Sequence, residues 1–164
     1  PEWFEAGGVY HADPTYTEFE AMPGMTRSEI ELEFPVYRLP DLITESGWYG
    51  TSGGLRPSGG RESELECRKR AEDVLAALRE EARSLTVNKQ VLVVAHYDII
   101  AAVLDCALCQ GQTPLPNFTR WKHFNTGITV LDVLAKSGHV LPMYINSIPH
   151  LSGRTDLQSG FATD

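Results

Sequence analysis

The side chain in this sequence best placed for chemistry is His96. It follows Val91–Ala95 (VLVVA), a β-rich run that is apolar on both faces, and precedes a second regular segment from about Ile99 to Cys109. Runs of that kind form buried strands of a parallel sheet. Ligands of open α/β sheets bind beyond the carboxyl ends of such strands. A His there faces the crevice, beside the free amides that open the next helix and suit an anion. His11, His123 and His139 have no such position and read as solvated or core-satisfied side chains. Cys106 and Cys109 have redox spacing, but inside an apolar helix rather than at its N-terminus, where a thiolate is stabilised. No second Cys pair or suitably spaced His completes a zinc site with them, so they read as small core residues. The glycines of GTSGGLRPSGG (50–60) match no phosphate-cradling fingerprint, since no strand precedes them and no Lys-Ser/Thr follows. Arg61 and Arg68 read as surface charges of a helix, although either suits an anionic ligand.

The elements that must position these residues are regular only in the second half of the chain. Before residue 60 the sequence is loop-rich, apart from Thr26-Arg27-Ser28-Glu29, whose capping-box spacing starts a short helix that Pro35 stops near Phe34. Glu62 to about Leu85 is amphipathic, with Leu65, Ala71, Val74, Leu75, Leu78, Ala82 and Leu85 on one stripe. A turn at 87–89 leads to a strand over Gln90–Ala95, then to the helix ending near Cys109, closed by Gly111 and Pro114. Gly127–Val133 and Val140–Asn146 read as further strands. This succession predicts an α/β fold, a three-layer sandwich with a mainly parallel central sheet. One domain is expected, with a loop-rich 1–60, an α/β core over 61–151 and a tail over 152–164.

Composition narrows the function classes. The 164 residues are 42% hydrophobic and 22% charged, as in a globular domain. A formal net charge of -8 repels phosphate backbones and anionic lipid, so nucleic acid is not an expected partner. It leaves room for a small phosphorylated ligand held by a few local donors. No apolar run approaches the 18 residues of a membrane span. Three cysteines are too few and too odd in number for a disulfide scaffold, which fits a reducing, cytoplasmic setting. The chain opens at Pro1 without an initiator Met or a signal segment, and reads as entered part-way through.

Taken in order, VLVVAHYDII-x-AVL, FNTGITVLDV and INSIPHL resemble the C-terminal half of the histidine phosphatase (phosphoglycerate-mutase-like) superfamily. ESELECRKR is similar to that family's long helix before the strand. WFEAGGVY, PGMTRSEI and ITESGWY resemble its variable insert. The resemblance implies a phosphoglycerate-mutase-like fold and metal-independent phosphomonoester hydrolysis through a phosphohistidine, with no cofactor. It implies that His96 is a phosphate-binding donor, with Asn125 and Thr126 as further donors. Glu5 would be the proton donor, with Glu2 its runner-up, and His150 would pack the closing segment. Two departures matter. The family's Arg-His-Gly, source of the nucleophilic His, occurs nowhere in the chain, and Tyr97 stands after His96 where Gly is usual. The expectation is therefore a phosphatase whose nucleophile lies upstream of Pro1, this chain alone being inactive. A mutase, and a silent scaffold subunit in a larger assembly, are the alternatives. Homo-oligomer formation, or an assembly partner, is left open.

Overall fold

The structure is a computed structural model in which residues 3–41, 43–49 and 61–159 are described. The chain divides into two compact units, Trp3–Cys67 and Arg68–Asp164. The GTSGGLRPSGG segment and Glu2 lie outside the described residues.

In the first unit, β1 (Tyr10–Ala12) and β2 (Phe19–Ala21) form an antiparallel hairpin that the sequence reading missed. Its turn is organised by Asp13, whose carboxylate accepts from the backbone N–H groups of Thr15, Thr17 and Glu18. Those donors hold the Asp13 pKa well below the usual carboxylate range. Arg61 is not a free surface charge. Its guanidinium lies 5.2 Å from the Tyr10 ring centre and 5.1 Å from that of Phe19. Helix α1 (Arg27–Glu33) starts as expected. Thr26 accepts from Glu29 N while the Glu29 carboxylate accepts from Thr26 N, and the helix ends at Phe34 before Pro35. Phe4, Trp48 and Tyr49 pack ring against ring, and Tyr49 is fully buried. A Cβ on Gly8 would overlap the Tyr49 ring, so the chain passes there only as glycine.

The boundary between the units falls within α2 (Glu64–Ser84), which opens on a Ser63–Glu66 capping box. Ala71, Val74 and Leu75 are buried as the stripe predicts, but Leu65 is exposed and Cys67 is buried instead. In the second unit α3 (Tyr97–Leu108) buries Ile99 and Ala101–Asp105. Strands β3 (Ile128–Val133) and β4 (Val140–Ser147) pair antiparallel with two register irregularities. Arg79 Nε donates to Gly138 O at 2.9 Å and ties α2 to their turn.

The α/β class holds, but among the described residues both sheets are two-stranded and antiparallel. The expected parallel strand over Gln90–Ala95 is absent. Val91, Leu92, Val93 and Val94 are 56%, 91%, 38% and 90% exposed. The physical reason is pairing: a strand exists only through a neighbour's ladder, and no described strand lies against this run.

Candidate functional site

In the second unit, α3 and the β3–β4 hairpin position the candidate residues. His96 is the N-cap of α3, in extended conformation (φ -102°, ψ 169°), and its carbonyl accepts from Ile100 N at 3.2 Å. Its imidazole makes no capping bond, and the residue is exposed. First-turn amides of a helix have no intrahelical acceptor, so an anion at this end meets donors and the positive end of the dipole.

The next residue ties this end of α3 to the turn before β3. The Tyr97 ring meets His123 edge-on, with centres 6.3 Å apart. Burial pushes the Tyr97 phenol above its ordinary pKa, and the neighbouring Asp98 charge adds to that. His123 is buried, with Nδ1 at 3.0 Å from Trp121 O and Nε2 at 3.1 Å from Thr129 Oγ1. A carbonyl only accepts, so the proton sits on Nδ1 and the neutral ring accepts from the Thr129 hydroxyl at Nε2. That hydroxyl in turn accepts from Asn146 N at 3.0 Å. Burial lowers the His123 pKa, and the Trp121 hydrogen bond offsets part of the shift. Phe124 N donates to Asn146 Oδ1 at 2.8 Å, and a Cβ on Gly127 would collide with that same oxygen.

The 123–127 turn is thus a built element. Thr126 sits at φ 61°, a left-handed conformation that a β-branched residue adopts only under constraint. Its hydroxyl lies 2.9 Å from His150 Nε2. Asn125 donates its backbone N–H to Ser159 O at 2.7 Å and its amide Nδ2 to Ser159 Oγ at 3.1 Å. The sequence reading named Asn125, Thr126 and His150 but not Ser159, which holds Asn125, nor Asn146, which accepts from Phe124 N in the same turn. Asn146 carried a signal, since it stands in the INSIPHL segment that prompted the family resemblance.

Glu5 belongs to the first unit, where it is half-buried in a turn. Its Oε1 accepts from Ala6 N at 2.7 Å and its carbonyl from Gly8 N at 3.2 Å. Cys106 and Cys109 are half-buried on a cavity wall rather than packed in the core. Burial pushes the Cys106 thiol up, which argues against a reactive thiolate. Arg68 is also no surface charge. It pairs with the buried Asp105 at 2.9 Å and stacks 4.8 Å over the Phe118 ring. Among the described residues no group of three or more His, Cys, Asp or Glu could hold a metal ion, and no helix is long and apolar enough to cross a membrane.

These features define an α/β protein in which the Tyr97–His123 ring contact ties the N-terminus of α3 to a constrained turn. The family model of the histidine phosphatase superfamily (branch 1) matches residues 10–146, and the chain belongs to that superfamily. The match spans His96, Asn125 and Thr126, while Glu5 and His150 lie outside it. No curated protein and no solved structure matches the chain significantly.

Proposed function

We propose that the protein is a phosphomonoesterase working through a phosphohistidine, its nucleophilic His supplied by polypeptide outside these 164 residues. The observation that carries this reading is the setting of His96: exposed, at the N-cap of α3, directly after an apolar run with no ladder partner among the described residues. A strand from elsewhere, pairing in parallel with Gln90–Ala95, would turn this run into a sheet strand and bring a nucleophile to the same strand ends. Exposed Leu141 and Met143 of β4 add to the apolar surface such a sheet would cover.

In this mechanism the imidazole of the absent segment attacks phosphorus, the P–O bond to the leaving group breaks, and water later hydrolyses the P–N bond. His96 and the first-turn amides of α3 donate to the equatorial oxygens. Asn125 and Thr126 present further donors once a ligand replaces their present partners, Ser159 and His150. Glu5 protonates the departing alkoxide. The scaffold reading has one observation in its favour, the bulky Tyr97 packed where the family commonly has Gly.

Assaying the chain alone beside a longer polypeptide that carries an upstream Arg-His-Gly strand separates the readings. The chain alone is expected to be silent and the longer form active. In the longer form His96→Ala should lower kcat about 10²–10³-fold, as loss of one transition-state donor does. Metal-independent turnover by the short chain would overturn the assignment of the nucleophile. Silence of the longer form would favour the scaffold.

A further inference from the structure

The second unit holds a cavity of about 340 Å³ between α2, the C-terminal half of α3 and the segment after it. Three arginines line it, Arg68, Arg79 and Arg120, against two carboxylates, Asp105 and Glu72. Asp105 is buried and oversubscribed. Its Oδ2 accepts from Arg68 Nη1 at 2.9 Å and its Oδ1 from Trp121 Nε1 at 2.8 Å. Arg120 Nε stands 3.1 Å from Oδ1, buried, yet off the line a hydrogen bond needs. Asp105 thus faces two guanidinium groups at once.

Those groups are held in place rather than free to turn outward. Arg68 Nη2 donates to Leu115 O at 2.7 Å, and Arg120 donates to Gln112 Oε1 and Thr113 O, each at 2.8 Å. Arg79 is anchored through Nε on Gly138 O. A surplus of fixed positive charge around one cavity, in a chain of formal charge -8, is an arrangement that stabilises an anion. Leu75, Cys106 and Pro114 provide an apolar wall.

We propose that this cavity binds a small organic anion, a carboxylate or phosphate monoester headgroup on a short apolar stem. The site is separate from the one at His96. Asp105 lies nine residues along α3 from the N-cap, about 13 Å at the helical rise. The proposal therefore stands whether or not His96 serves a phosphatase.

Titrating the isotopically labelled 164-residue chain with butyrate, and separately with butyl phosphate, while following backbone amide signals tests it. Saturable shifts are expected at 106–112 and at Arg120, with either probe. Arg79→Gln, which leaves the buried Arg68–Asp105 pair intact, should weaken binding about tenfold, the loss of one charge-assisted contact. Arg79→Lys should restore much of it, and His96→Ala should leave it unchanged. The absence of shifts at 106–112 overturns the proposal, even if Arg79→Gln proves unstable. So does an unaltered affinity in folded Arg79→Gln. Shifts confined to Tyr97 and 123–127 overturn it too, while supporting the site at His96.

Discussion

His123 shows how a single buried side chain braces the turn that follows it. It is enclosed by the Tyr97 ring, the Trp121 carbonyl and the Thr129 hydroxyl, and its pKa is lowered because burial disfavours the imidazolium. The unfolded chain takes up a proton near the ordinary His value, whereas the folded protein resists until lower pH. Stability from this group is thus complete above about pH 6.5 and declines as pH falls toward the folded pKa. Urea midpoints measured from pH 7.5 to 5 should fall, and His123→Gln should flatten that decline; a slope unchanged in the variant would remove His123 as its cause. Asp105 makes the opposite kind of argument, since there the charge itself is required. Asp105→Ala removes the buried carboxylate that Arg68 and Arg120 share, and should cost about 3–5 kcal/mol in urea unfolding, as breaking one side of a buried pair does. A loss below about 1 kcal/mol, the range of an exposed pair, would mean the arginines turn out to solvent. The sequence already had His123 as a solvated or core-satisfied side chain, and its burial with both ring nitrogens partnered fits the second of these. It marked Arg68 as a surface charge, because the partners of Arg68 lie 37 and 47 positions away.

Elements were more legible than contacts, and for a local reason. A capping box, an apolar stripe and a stopping proline act within a few residues, so α1, α2 and α3 fall within a few residues of where the sequence placed them. The three-residue strands of the first hairpin are too short to show a period. The run at 91–95 was read as β-rich, but the propensity of a strand does not disclose its partner. That difference can be measured. Amides at 91–95 should exchange freely in this chain, where no described strand pairs with them, and slow by at least about 10²-fold in the longer polypeptide once a neighbouring strand does. Strong protection in the short chain would show that the run is already paired, and would remove the main support for a missing strand.

At the scale of the whole molecule the question is which group protonates the leaving oxygen. The proposed acid, Glu5, belongs to the first unit, and His96, Asn125 and Thr126 to the second. General acid catalysis requires the carboxyl within hydrogen-bond reach of the leaving oxygen, and it is on that requirement that the role proposed for Glu5 is tested. Leaving-group dependence isolates that requirement from simple binding. An alkoxide is a poor leaving group and needs a proton as the P–O bond breaks, whereas an aryl oxide departs with little help. In the active longer polypeptide, Glu5→Gln should lower kcat for an alkyl phosphate about 10²–10⁴-fold, the usual worth of a positioned acid. The same variant should leave an aryl phosphate within a few-fold. Equal losses on both substrates would assign Glu5 to structure rather than proton transfer. No loss on either would place the acid elsewhere, and the next residue to test is Glu2.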